Sequence, residues 1–185
     1  MVQIREVNLA GVKLKLEGLV TDLNKIIYLE SAIKKDFDIE TKRFMWTKMA
    51  ELYEERMMHD KAARAMTNLA GLGTTFREKI DNYLKAAELY AKAGRIDEAE
   101  DMFVKASRDS NEQQKNMINL TRKNIYLASA RDMERKNRRS GAMKFYEKLI
   151  KLKLDDLEKR EIKEKLVLIY KALGKFREAD IVSKM

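Results

Sequence analysis

The stretch YLKAAELYAKAGRIDEAEDMF, running from Tyr83 to Phe103, decides the fold. Residues three, four and seven apart share one face of a helix, so Tyr83, Ala86, Ala87 and Tyr90 form a stripe in which small side chains lie between aromatic ones. Gly94 follows where a helix must end in a left-handed backbone conformation. Ala99 and Phe103 then repeat the small and large pairing on the helix that returns. The same spacing occurs at Trp46, Met49, Ala50 and Tyr53, and again at Tyr126, Ser129, Ala130 and Met133, at intervals of 37 and 43 residues. Nine residues beyond each stripe stands an alanine with a large residue after it: Ala62 with Met66, Ala99 with Phe103, Ala142 with Tyr146. Recurrence at such intervals means stacked copies of one supersecondary unit, an architecture that serves as an interaction scaffold.

Composition agrees with helices throughout. The chain has 185 residues, 45% hydrophobic and 37% charged, with no proline at all. Long helices with short turns explain that absence, because proline breaks helix interiors and sits badly inside strands. With no cysteine there is no disulfide framework, thiolate metal site or thiol nucleophile. The longest purely apolar run, Leu166 to Tyr170, is far too short to span a bilayer, and the N-terminal residues lack a signal-peptide core. A cytoplasmic location and no membrane insertion are the expectations.

Helical spacing places helices at roughly 39–58, 60–71, 75–93, 96–109, 112–137, 139–153, 156–173 and 176–185. They pair into antiparallel hairpins over 39–71, 75–109, 112–153 and 156–185, within one domain covering 1–185. Gly94, Gly174 and Asn137 occupy the left-handed turn positions. Residues 1–38 read in two ways. Val12, Leu16, Leu19, Leu23, Ile26 and Ile27 suit an amphipathic helix, while Val12 to Glu17 alternates as a strand would. A degenerate first hairpin or cap, broken near Gly18, is the preferred assignment.

With these residues in place, the chain resembles the tetratricopeptide (TPR) family. Tyr83, Ala86, Ala87, Tyr90, Gly94, Ala99, Phe103 and Ala106 look like a full repeat, and Trp46, Met49, Ala50, Tyr53, Ala62, Met66 and Leu69 like a second. The Tyr126 segment and the C-terminal Tyr170, Gly174 and Ala179 are similar to weaker copies. The intervals exceed the 34 residues expected for that repeat and the usual terminal proline is missing. The stretched repeats of the soluble NSF attachment proteins are similar in architecture, which carries no membrane-fusion activity across. The resemblance implies an all-α fold, a right-handed superhelix of about four antiparallel hairpins whose first helices line a concave groove.

Carrying the groove positions onto this chain gives Phe44, Glu51, Glu54 and Glu55, then Leu84 and Glu88, then Leu127, Arg131 and Arg135, and finally Leu168. The set offers one apolar residue per hairpin and changes from acidic to basic along the chain. Glu51 and Glu88 stand where amides or cations would be needed to grip a C-terminal carboxylate, so a chaperone-tail clamp does not fit. The resemblance therefore implies a non-enzymatic adaptor that takes a peptide or helix of another protein. Charged helix faces are also commonly plain solvated surface.

An alternative to the adaptor reading follows from charge, and a homodimer contact from the C-terminal helix. Residues 111–150 carry ten Lys or Arg against four Asp or Glu, part of a net +9. Arg131, Arg135 and Arg138 recur at helical spacing with Lys136 and Arg139 beside them, which suits RNA or a ribosome surface. Phe176, Ala179, Val182 and Met185 form one stripe on the last helix, the expected contact of a homodimer. No cofactor, metal or catalytic residue is expected. The only histidine, His59, falls in a turn, and Asp36 with Asp38 and Asp155 with Asp156 suit helix capping.

The stripe generates a direct test of packing. Leucine at Ala87 or Ala99 should overpack the helix crossing and cost about 1 to 3 kcal/mol, read as a lowered Tm. Unchanged melts in both variants would mean that these alanines do not lie at a crossing.

Overall fold

A computed structural model describes residues 4–108 and 110–184. Among the described residues the chain is all helical, with no strand. The helices are α1 (Leu9–Glu17), α2 (Asp22–Ala32), α3 (Ile39–Glu55), α4 (His59–Gly71), α5 (Phe76–Lys92), α6 (Ile96–Ser107), α7 (Glu112–Arg135), α8 (Arg139–Leu149), α9 (Asp156–Ala172) and α10 (Phe176–Lys184). They fall into two compact units, residues 1–109 and 110–185. In the first, α1 and α2 pack on α3, and then α3 on α4, α4 on α5 and α5 on α6. In the second, α7 packs on α8, α8 on α9 and α9 on α10.

The strand alternative for Val12 to Glu17 is overturned. Val12 and Leu16 are buried while Leu14 is exposed, a spacing of four that only a helix satisfies. The Asn8 side chain accepts a hydrogen bond from the Gly11 amide and starts α1, and Thr21 does the same for α2 through the Asn24 amide. Side-chain caps also start α3 (Asp38), α5 (Thr75), α7 (Asn111) and α9 (Asp155). No side-chain bond caps α4, α6 or α8.

Those three helices, and α10 with them, begin from a turn that closes the helix before them. In each, a residue four past the end of a stripe takes a left-handed conformation, and the next amide donates to the stripe's last carbonyl. Met57 has φ 57°, and the Met58 amide donates to the Tyr53 carbonyl over 2.8 Å. Gly94 and the Arg95-to-Tyr90 bond repeat the arrangement, as do Asn137 with Arg138-to-Met133 and Gly174 with Lys175-to-Tyr170, each bond again 2.8 Å. This is the Schellman closure, which satisfies a carbonyl that the helix end would leave open. Sequence reading found Gly94, Asn137 and Gly174. It missed Met57, because methionine carries no signal for positive φ.

The two units share more than this turn. At a constant offset of 80 residues, the left-handed residues Met57 and Gly94 correspond to Asn137 and Gly174, and the starts of α4, α5 and α6 correspond to those of α8, α9 and α10. The ion pairs correspond as well. Arg43 binds Glu78, and Lys123 binds Glu158 over 2.5 Å; Lys85 binds Glu54 over 2.9 Å, and Lys165 binds Glu134 over 3.4 Å. In each unit these two tethers join α3 to α5, or α7 to α9, so the first helices of consecutive pairs are linked at two points about eleven residues apart on α3 and α7. The intervals of 37 and 43 residues together make this longer period of 80.

The stripes face inward. Ala86, Ala87, Ala99, Ala130 and Ala142 are wholly buried, with Tyr90, Phe103, Tyr126 and Tyr146 nearly so. Small residues at these points let helix backbones approach while the aromatic rings fill the volume beside them.

The turn generates the second prediction. Met57 is 78% exposed, so its side chain contributes little packing to offset its left-handed strain. Met57→Gly should raise stability by about 1 kcal/mol. A Cβ added at Gly94 or Gly174 meets nothing within 4 Å, so Gly94→Ala should lose about 1 kcal/mol from conformation alone. Urea unfolding of both variants checks the pair of opposite signs.

Candidate functional site

The expected groove residues separate by unit. In the first, Phe44, Glu51 and Glu55 of α3 border a cleft of about 450 Å3 with Lys13, Leu16 and Glu17 from α1, Asp22 and Lys25 from α2, and Lys48 and Leu52 from α3. Leu16 and Leu52 are nearly buried, and Phe44 is half-buried with the Lys13 ammonium 5.3 Å from its ring centroid. Lys48 pairs with Glu51 over 2.7 Å and Lys25 with Asp22 over 3.9 Å. Glu17 and Glu55 are exposed and have no ion-pair partner among the described residues. The α1 and α2 contributors were invisible to sequence reading, because residues 1–38 lack the repeat spacing that assigns a face.

The remaining acidic positions are neutralised from within. Lys85 binds Glu54 and lies 3.7 Å from Glu88, which also binds Lys92 over 2.6 Å. Burial works to raise the Glu88 carboxyl, yet the hydrogen bond from Lys92 and the charges of Lys85 and Lys92 outweigh it and hold Glu88 below the usual carboxylate range. Leu84 corrects an expectation outright. It is only 9% exposed, because α5 is covered by α4 and α6 and buries Ile80, Leu84 and Ala91 as well as its aromatic stripe. Leu84 therefore belongs to the core and offers no contact to a partner.

In the second unit Leu127 is half-buried and Leu168 is 64% exposed. Asp132 binds Arg135 over 3.0 Å and Lys136 over 2.7 Å, and the hydrogen bond from Lys136 holds its carboxyl low. Arg131, Arg138 and Arg139 are exposed, with no carboxylate partner among the described residues. Of the C-terminal stripe, Ala179 and Val182 are buried in the unit itself, leaving Phe176 and Ile181 as the exposed apolar side chains of α10; Met185 lies outside the described residues.

Three core tyrosines turned out to be polar anchors. Tyr53 donates its hydroxyl proton to Glu30 over 2.6 Å, Tyr146 to Glu134 over 2.9 Å and Tyr170 to Glu147 over 2.7 Å. Burial first, and then the neighbouring carboxylate, pushes each phenol pKa up. His59 opens α4 and is half-buried, in place of the solvated turn residue that the sequence suggested. Among the described residues no group of carboxylates and histidine is arranged to hold a metal, and no helix is long and apolar enough to cross a membrane.

The pairing of Glu88 has a pH consequence. A carboxyl whose folded pKa is depressed contributes stability above its ordinary value of 4.5, and loses it as pH falls through the folded value. Urea midpoints should therefore fall below about pH 4.5, and less steeply in Glu88→Gln. Identical acid limbs for the two proteins would remove Glu88 from the network. Among known proteins, no family model, no curated protein and no solved structure matches this chain.

Proposed function

We propose that this chain is a non-enzymatic interaction module of the helical-repeat kind, resembling TPR proteins, with about four hairpins in a right-handed superhelix. The constant 80-residue offset of turns and ion pairs carries the repeat reading, since independent helices would have no reason to reproduce both. Its partner is a segment of another protein, received in the first unit by the cleft beside Phe44.

The chemistry of that cleft defines the segment. Leu16, Leu52 and Phe44 supply an apolar floor, and Glu17 and Glu55 supply the carboxylates that no lysine neutralises. A short amphipathic peptide with an apolar anchor flanked by Lys or Arg fits both. The groove expected from Glu54, Leu84 and Glu88 is not part of this reading, because those side chains are paired or buried.

Peptide display on the immobilised full chain tests it. Enriched peptides should share an apolar residue next to basic ones, and their binding should weaken by roughly tenfold or more in Phe44→Ala and in Glu55→Lys. Failure to enrich any shared pattern, or enriched peptides indifferent to both substitutions, would defeat the proposal.

A further inference from the structure

The two units carry the same cleft with different chemistry. In the first, the cleft at the α3–α4 turn is lined by Met57, Met58, His59, Asp60, Lys61 and Ala93, with a volume of about 350 Å3. In the second, the cleft at the α7–α8 turn is lined by Asn137, Arg138, Arg139, Ser140, Gly141 and Leu173, with a volume of about 450 Å3. Every lining position corresponds at the 80-residue offset. The backbone closure is the same too, with Met57 and Asn137 both left-handed at φ 57° and 58°. One copy therefore serves as an internal control for the other.

What differs is charge. The first unit contains nineteen Lys or Arg and nineteen Asp or Glu, whereas the second contains twenty and eleven, so the whole net charge of +9 resides in the second. Much of it gathers at the turn end. From first copy to second, Glu55 becomes Arg135, Met58 becomes Arg138, His59 becomes Arg139, Ala91 becomes Lys171 and Asp97 becomes Arg177, against which only Lys61 and Lys92 are lost, to Gly141 and Ala172. One of two neutralising carboxylates is lost as well, while the other, Glu98, is kept as Glu178. In the first copy Arg95 is held by Asp60 over 3.1 Å and by Glu98; in the second, Ser140 replaces Asp60 beside Lys175. Arg138, Arg139, Lys171 and Arg177 are all exposed, with no carboxylate partner among the described residues.

We propose that the turn end of the second unit, centred on the Arg138–Arg139 cleft and extended by Lys171, Lys175 and Arg177, binds the phosphodiester backbone of a nucleic acid. Guanidinium groups suit this because their planar fork takes two phosphate oxygens at once and stays charged at any physiological pH. Unpaired cations on adjacent turns match a repeating row of phosphates, which gains affinity by releasing counterions. No aromatic ring lines the cleft itself, so the cleft recognises the backbone, and the exposed Phe176 between Lys175 and Arg177 is the one ring of this surface on which a base could stack. This surface shares no residue with the peptide cleft of the first unit, and either reading stands if the other fails.

Fluorescence anisotropy of the full chain with a short labelled single-stranded RNA, and with DNA of the same sequence, tests the proposal. The expected result is binding of both at low salt, a steep fall in affinity with added salt, and roughly tenfold or more weakening in Arg138→Glu/Arg139→Glu. The matched substitutions Met58→Glu/His59→Glu in the first unit should leave affinity unchanged. The milder Arg139→Gln, with an unchanged circular dichroism spectrum, should still lower the salt slope and so separate lost contact from lost fold. Equal RNA and DNA affinities mean that phosphates alone are recognised, and a preference for RNA adds ribose contacts; both support the site. No binding at low salt, equal loss in the two matched double variants, or full competition by polyglutamate, which would make an acidic protein the partner, would overturn it.

Discussion

Everything in this chain depends on how a helix is made to stop and turn back. Four times, an amide donates to the carbonyl of a residue five positions earlier, which is also the last member of a packing stripe. The bond fixes where the next helix starts, so an alanine nine residues past the stripe is delivered to the same depth each time. Without a fixed turn, a shift of one residue on a helix would rotate the returning face by about 100° and put charge where Ala62, Ala99 or Ala142 now lies buried. The absence of side-chain caps on α4, α6 and α8 follows from the same geometry, since the closure itself organises the first residues of the new helix.

A second layer of order lies above the pairs. Tethers such as Lys85 to Glu54 link helices that are not consecutive, and the tyrosine hydroxyls bound to Glu30, Glu134 and Glu147 add a polar clasp at the buried seams. The ion pairs are roughly one-third exposed, so each contributes modestly, and their main effect is to fix register between neighbouring pairs. The apolar seams supply the larger share of cohesion.

How much was legible in the sequence follows from these physical roles. Alanine among aromatics at three, four and seven is a signal of close helix approach, and glycine or asparagine after it is a signal of positive φ. These two placed the starts of α3 to α10 within one residue and their ends within four. Met57 was unreadable because its φ is imposed by the turn and is strained for that residue. Residues 1–38 were ambiguous because they lack the repeat spacing, and Val12 to Glu17 alternates locally as a strand would. The candidate site was less legible than the fold. A groove position can be read as a face, but Leu84 shows that a face can be covered by two neighbouring helices, and Glu54 and Glu88 show that its charge can be cancelled by lysines 31 and 4 residues away. The Lys85 partner of Glu54 comes from packing between helices, which no local spacing announces, whereas Lys92 stands one turn from Glu88 on the same helix.

The charged tethers also give the molecule an unusual response to heat. Hydrophobic attraction at the alanine seams levels off as temperature rises, while the penalty for stripping water from an ion pair shrinks, because the hydration of charged groups carries a strongly negative entropy. The links from α3 to α5 and from α7 to α9 therefore carry a growing share of cohesion on warming. On heating, the alignment of neighbouring helix pairs would rest more on these links, a division of labour set by where the lysines and glutamates stand.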